Sequence, residues 1–461
     1  MSFSDLTFLF YFLPLFFAVY YLVPFRCKNA VLVLGSAAFY FLGAGTRDAL
    51  LLGASVLFHY VLARAMDGKA VRARRALLLF GLCTDLFGLV YFKYAAFLLE
   101  NLGKLTGQTF SLVHLALPLG VSFYLFQSAG YLIDVYRGAR AERNLVDFSA
   151  FALAFPQLTM GPILRYDEWR GALKERTIAR EDVFLGFECF VAGLCFKVLL
   201  ADQLAPLWAS LERIGYGYLS APLAWLGAAS YSLQLYFDFS GYSLMAMGLG
   251  QMLGLHVPRN FDLPYTARSV SEFYRRWHIT LGTWFRDYLY ISLGGSRRGK
   301  ARTALALTVV WVFTGLWHGA SWNFVLWGVM LLAFILLEKF CIGGFLKEHK
   351  FLSHLYLLFV IPQTWVVFRI TKLSDIGAYF SRLFPFFGTH SLVSAQDALK
   401  LLSSYWWLLL LSVLFCLPQP RRFYEKHRGT LRIDLPLFAL FWVCVYFIAT
   451  SSGNAFLYSR F

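Results

Sequence analysis

Apolar stretches recur along the whole chain, near 7–24, 30–44, 49–65, 76–99, 112–136, 183–201, 222–251, 303–318, 324–342, 352–371, 404–418 and 435–450. Crossing the hydrocarbon of a bilayer takes about 20 apolar residues in a helix. Backbone groups in hydrocarbon must pair with one another, so such stretches fold as helices rather than open sheet. The expected fold is an all-α polytopic membrane protein with about twelve transmembrane spans, read as one membrane-embedded domain over 1–461. Composition agrees. The 461 residues are 59% hydrophobic and 15% charged, against about 45–50% and about 25% in soluble domains. That leaves too little polar surface to coat separate globules, and it excludes disordered, fibrous and disulfide-rich secreted classes. Aromatics at 19% suit membrane interfaces and lipid-facing walls.

Loop charge supports this map. The segments Arg26–Lys28, Lys69–Arg75, Arg137–Arg143, Arg165–Arg180, Arg259–Arg302 and Arg421–Arg432 are basic, whereas 100–110 and 202–220 carry few Lys or Arg. Basic loops collect in the cytoplasm, so both termini are expected outside, in a multi-pass membrane protein. The net charge of +16 then reflects topology and anionic lipid, not nucleic acid. No basic residue precedes Arg26, so the first span lacks a signal-peptide n-region and is expected to be retained. The stretch 146–161 is apolar but holds Pro156 and Gly161 and runs into Pro162, which break helices; it is expected to be re-entrant. The seven cysteines form no CxxC and are odd in number, so neither a metal site nor a disulfide framework is expected.

Residues 252–302 hold nine Lys or Arg against three acids, interleaved with aromatics. Trp277, Leu281, Trp284 and Tyr288 follow helical spacing, so amphipathic helices in the cytoplasmic interface are expected. They serve either as anchors or as a basic mouth for a phosphate-bearing donor.

Ionisable residues inside spans are costly and usually functional. Here they are His59, Asp85, Lys93, Asp134, Lys197, Asp238 and His318. Lys197 precedes Asp202 by five residues near a span end, which suggests an ion pair or snorkelling. His318 lies in the window WVFTGLWHGASWN, residues 311–323. A buried imidazole tends to stay neutral and can then accept a proton from a hydroxyl; Gly319 and Ala320 beside it are expected to leave room for a substrate. By residue type alone a satisfied core histidine remains the rival reading. His278, in Arg275-Arg276-Trp277-His278, reads equally as an interfacial residue. No HExxH, Walker A or GxSxG template is present. Gly215-Tyr216-Gly217 begins like a dinucleotide loop but continues to Ser220.

Five stretches carry a resemblance through most of the chain: LPLGVSFYLFQSAGYLIDVYRG at 117–138, FPQLTMGPILRY at 155–166, YSLQLYFDFSGYSLMAMGLGQMLGL at 231–255, SEFYRRWHITLGTWFRDYLYISLGGSRRGK at 271–300 and GLWHGASWNFVLWG at 315–328. In order and spacing they resemble the membrane-bound O-acyltransferase (MBOAT) superfamily, most of all the membrane subunit of bacterial alginate O-acetyltransferases. The resemblance implies a helical fold around a central tunnel, with His318 as the family's essential histidine and His278 as its usual second. It implies acetyl-CoA as donor substrate with no further cofactor or metal, and a partner of the SGNH-hydrolase-like type that acetylates polysaccharide outside. The tail from Asn454 to Phe461 resembles the branch's aromatic C-terminus but has Ser459 and Arg460 where aromatic or amide character is expected, which puts acceptor handling in question.

CoA phosphates cannot enter hydrocarbon, so Arg275, Arg276, Arg297, Arg298 and Lys300 are expected to hold them. His318 is expected to take the proton of the attacking hydroxyl. Asp238, Ser240, Trp317 and Asn323 are expected to orient an imidazole or line the tunnel; for Asp238 helix packing is the rival use. The alternatives are peptidoglycan O-acetylation, D-alanyl transfer to teichoic acid, a polysaccharide or lipid transporter, and a scaffold recruiting a soluble enzyme. A transporter would favour repeated halves, and the sequence shows no internal repeat.

Overall fold

In the computed structural model, the residues described are 1–110, 116–384, 394–451 and 456–457. Their regular structure is helical; among them a single isolated bridge pairs Phe261 with Trp277, and there is no strand. Apart from Phe456 and Leu457, the tail from Asn454 lies outside the described residues. In chain order the helices are α1 (Leu13–Leu22), α2 (Phe25–Met66), α3 (Val71–Leu89), α4 (Ala95–Thr106), α5 (Val121–Tyr136), α6 (Leu145–Leu153), α7 (Tyr166–Lys174), α8 (Arg180–Cys195), α9 (Asp202–Ile214) and α10 (Ala221–Met252). They continue as α11 (Val270–Arg276), α12 (Ile279–Trp284), α13 (Lys300–His318), α14 (Trp322–Leu337), α15 (Gly343–Glu348), α16 (Lys350–Arg369), α17 (Leu373–Leu383), α18 (Gln396–Phe415), α19 (Pro418–His427) and α20 (Leu431–Thr450).

Among the described residues, seven helical runs are long and apolar enough to cross a membrane: Phe25–Met66, Val71–Thr106, Arg180–Ile214, Trp322–Glu348, Lys350–Arg369, Gln396–Phe415 and Leu431–Thr450. The chain is an integral membrane protein. Helix α2 bends where Gly45 takes φ 83°, a backbone conformation that a side chain disfavours. The bend separates the apolar stretches 30–44 and 49–65.

The chain divides into two compact units. The first comprises Met1–Phe190, Leu244–Pro258 and Val445–Arg460. Its core is aromatic: Phe155 packs edge-on against Phe12 at 5.5 Å and Phe16 at 5.1 Å. Helix α6 is nine residues long, about 14 Å, too short to cross a bilayer, and it stops before Pro156. His59 and Asp85 are both buried and face each other at 3.0 Å from α2 and α3. Each therefore supplies the partner that hydrocarbon denies it.

Between α5 and α6, outside the spans, the buried Glu142 carboxylate ties three elements together. It accepts from the backbone N–H of Arg143 at 2.8 Å and of Asn144 at 3.0 Å, and from the Tyr166 hydroxyl at 2.5 Å; Lys174 lies 3.1 Å away. Burial pushes this carboxyl up, but the hydrogen bonds from Tyr166, Asn144, Lys174 and Arg143 outweigh it and hold it at about 2. A depressed carboxyl contributes stability above its unfolded value, near 4.3, and that contribution is lost as pH falls toward about 2. Glu142→Gln is expected to cost on the order of 2–3 kcal/mol at pH 7. Thermal unfolding in detergent at stepped pH checks this: the gap from wild type should close between about pH 4.5 and 2, and a gap independent of pH contradicts it.

The second unit comprises Val191–Ser243 and Arg259–Cys444, and it holds both histidines singled out above.

Candidate active site

Helix α13 begins at the exposed Lys300 and ends at the buried His318. Residues 319–321 turn the chain into α14, so the two helices run antiparallel. Their backbones touch because small residues face each other. A Cβ on Gly315 would lie 2.5 Å from the Phe324 carbonyl oxygen, and one on Gly328 would lie 2.6 Å from that of Trp311. Such close approach is how apolar helices gain packing in lipid.

The space at Gly319 is not open, contrary to the expectation that this glycine leaves room for a substrate. A Cβ at Gly319 would run into the Phe324 ring, so the glycine's missing side chain is filled by that phenyl group. His318 itself is 3% exposed. Its ring lies 4.8 Å from Trp317, with Trp327 at 4.9 Å and Phe368 at 5.1 Å, the last two edge-on. Asn323 fixes this wall. Its Nδ2 donates to the Val367 and Phe368 carbonyls at 3.2 and 3.0 Å. These lie at the end of α16, where helical carbonyls have no partner within the helix.

His278 reaches the same wall. Its ring lies 6.0 Å from Trp317 and edge-on to Phe239 at 4.8 Å. The 252–302 segment is therefore not merely superficial. Val270, Phe273, Trp277, Leu281, Phe285 and Tyr288 are buried. The helical run expected through Trp277, Leu281, Trp284 and Tyr288 is broken, because Trp277 is extended and His278 sits at φ 48°. α11 ends before them and α12 begins after. Trp284 is only half-buried, and Phe285 takes the inward position.

A left-handed conformation at a residue other than glycine is costly and persists only when neighbours over-determine it. Two devices do so here. The backbone carbonyl of Asn260 accepts from Ile279 N–H at 3.0 Å. Its side-chain oxygen accepts from Thr280 N–H at 3.1 Å and Thr280 Oγ1 at 3.0 Å, and lies 3.3 Å from His278 Nδ1. At the other end, the buried Glu338 carboxylate accepts from Val270 N–H at 2.5 Å, Ser271 N–H at 2.9 Å and Ser271 Oγ at 2.6 Å. A carboxylate at a helix N-terminus meets its unpaired donors and its positive end. His278 lies outside the spanning helices, and burial pushes its imidazole down to about 3. It is neutral at physiological pH.

The other expected site residues divide into two groups. Asp238 is engaged by the buried Lys197 at 2.8 Å, and Lys197 also meets Asp202 at 2.8 Å. The expected Lys197–Asp202 pair is thus part of a triad, and Asp238 has a helix-packing role in it. Ser240 is buried with its hydroxyl unpartnered among the described residues. Arg275, Arg297, Arg298 and Lys300 are exposed, whereas Arg276 pairs with Glu272 at 2.7 Å and donates to Thr266. Arg297, Arg298 and Lys300 stand at the start of α13, about 27 Å along that helix from His318. Among the described residues no group of three His, Cys, Asp or Glu side chains could hold a metal. Asn260 and Glu338 escape a reading of the sequence, since their partners lie 18–20 and 67–68 residues away with no periodic signal.

Two buried imidazoles, those of His278 and His318, thus approach one indole, Trp317. The family model of MBOAT, the membrane-bound O-acyltransferase family, matches residues 76–376, and the chain belongs to that family. It is 39% identical to the "Probable alginate O-acetylase AlgI" of Azotobacter vinelandii, over 92% of this chain and 86% of that one. It is 30% identical to the "Peptidoglycan O-acetyltransferase" of Helicobacter pylori over 100% and 98%. With the "Teichoic acid D-alanyltransferase" of Streptococcus thermophilus it shares 31% over 46% and 54%. The protein is a membrane O-acetyltransferase.

Removing the Glu338 carboxylate strands three donors that it now satisfies. Glu338→Ala is expected to lower stability by about 2–4 kcal/mol, with Glu338→Gln in between. Thermal unfolding of the purified variants reads this; equal melting temperatures for all three proteins contradict the assignment.

Proposed function

We propose that the protein takes an acetyl group from cytoplasmic acetyl-CoA and delivers it across the bacterial cytoplasmic membrane. The final acceptor is an extracytoplasmic polysaccharide of the alginate type, reached through an SGNH-type partner. About twelve spans with both ends outside, a re-entrant 146–161 segment and a tunnel reaching the imidazoles complete this reading. The observation that carries it is the approach of His278 and His318 to one indole, Trp317. The identity to an alginate O-acetylase over nearly the whole chain supports acetate and an exopolysaccharide. The whole-chain likeness to a peptidoglycan O-acetyltransferase keeps peptidoglycan as the second reading for the acceptor.

The chemistry follows from these groups. The adenosine and phosphates of the donor stay in water against the exposed Arg275, Arg297, Arg298 and Lys300, where guanidinium forks pair with phosphate. The acylated arm extends inward toward the histidines. His318 removes the proton of the acceptor hydroxyl as its oxygen attacks the thioester carbon. The carbon–sulfur bond breaks, CoA leaves as thiolate, and the imidazolium returns the proton. The aromatic wall excludes water, which would otherwise hydrolyse the thioester, and fixes the ring for attack.

His318→Ala is expected to lower acetyl transfer by about 10²–10⁴-fold, with the protein still inserting and eluting as a single species. Release of CoA from radiolabelled acetyl-CoA, with label followed into acceptor, measures this. Wild-type turnover in a well-folded His318→Ala protein overturns the assignment. The double variant Arg297→Ala/Arg298→Ala is expected to raise the apparent KM for acetyl-CoA about tenfold with little change in kcat, and to flatten its salt dependence. An unchanged KM removes the basic mouth. Arg276→Ala should act on stability instead, because its guanidinium already pairs with Glu272.

A further inference from the structure

We infer that Asn260 is a positioning residue that selects the proton-bearing nitrogen of His278, holding Nδ1 protonated and presenting the Nε2 lone pair. The inference rests on the acetyl-transfer reading above and adds a residue to it. The geometry assigns the atoms. A backbone N–H can only donate, and that of Thr280 meets the Asn260 amide at 3.1 Å. The amide atom it meets is therefore the oxygen. His278 Nδ1 lies 3.3 Å from that same oxygen. An amide oxygen only accepts, so Nδ1 carries the proton, and in a neutral imidazole Nε2 then carries the lone pair.

The amide is well held. Asn260 is fully buried. Its Nδ2 lies 3.5 Å from Ser243 Oγ, and its own carbonyl accepts from Ile279 N–H at 3.0 Å. Backbone and side chain of one residue thus take the first two donors of α12, immediately after the left-handed turn at His278. The same clamp sets the ring's place and its tautomer.

The surroundings leave the imidazole neutral. α10 contributes Phe239 and Ser243, and its Asp238 is held by Lys197. Beyond Asn260, Asp262 is paired with Arg421 at 2.5 Å. The end of α13 brings Trp317 and the imidazole of His318. On its own segment, Arg276 pairs with Glu272 and Arg275 is exposed. Burial is the influence that moves His278, and it moves it down. A carboxylate at position 260 would still accept from Nδ1–H and from Thr280, but would favour the imidazolium.

Acetyl transfer from radiolabelled acetyl-CoA, measured from pH 5 to 8 on purified full-length protein, provides the test. Asn260→Ala is expected to lower kcat about tenfold or more, with a smaller change in KM. Asn260→Asp is expected to recover activity at high pH and to show a new acidic limb, absent from wild type, where His278 becomes charged. Asn260→Ala combined with His278→Ala should lose no more than His278→Ala alone, because the asparagine acts through that ring. A purely structural cap would give an Asp variant with the wild-type pH profile and additive losses in the double variant; either result overturns the inference. If Asn260→Ala does not fold, the Asp profile decides alone. Wild-type protein that transfers no acetyl group from acetyl-CoA overturns the underlying reading and the inference with it, whereas wild-type transfer with unaltered variants overturns the inference only.

Discussion

One indole sets the geometry on which the second unit depends. Trp317 stands 4.8 Å from His318 and 6.0 Å from His278, and the sum of those spacings bounds the separation of the two imidazoles. Neither histidine is held there by a single helix. His318 ends α13, whose path is fixed by backbone contact with α14 at Gly315 and Gly328. His278 sits in a left-handed turn that Asn260 and Glu338 clamp from either side. Moving any of these elements by an ångström changes how the two rings stand to one another.

Buried polar groups elsewhere show how the fold meets the cost of ionisable side chains in an apolar setting. His59 answers Asp85 within the first unit; Lys197 answers Asp202 and Asp238 within the second. Each is matched, as expected where water is absent. His278 and His318 pack against aromatic rings, His278 against Phe239 and Trp317, His318 against Trp317, Trp327 and Phe368.

Much of this was legible before any coordinates. Apolar runs separated by basic loops foretold helices and a membrane, and the WHGASWN window foretold an imidazole in an apolar, aromatic setting, where His318 lies buried. What escaped had physical reasons. Gly319 reads as open space in one dimension, yet Phe324, five residues on, folds back into it. The 277–288 spacing reads as one amphipathic helix, yet the run breaks at His278 because Asn260 competes for its donors. Asp238 reads as a candidate for orienting a histidine, yet it is engaged by Lys197, 41 residues away, with no spacing signal that would pair them. Tertiary partners decide such cases, and sequence spacing does not record them.

In the proposed reaction a cytosolic thioester meets both imidazoles at Trp317. An experimental structure of the protein with a non-hydrolysable acetyl-CoA analogue tests it most directly. The account predicts the nucleotide against Arg297, Arg298 and Lys300, and the acyl carbon near His318, with space for an attacking oxygen at about 3–3.5 Å. An analogue whose acyl group ends away from both histidines, or on the far side of the aromatic wall from them, contradicts it.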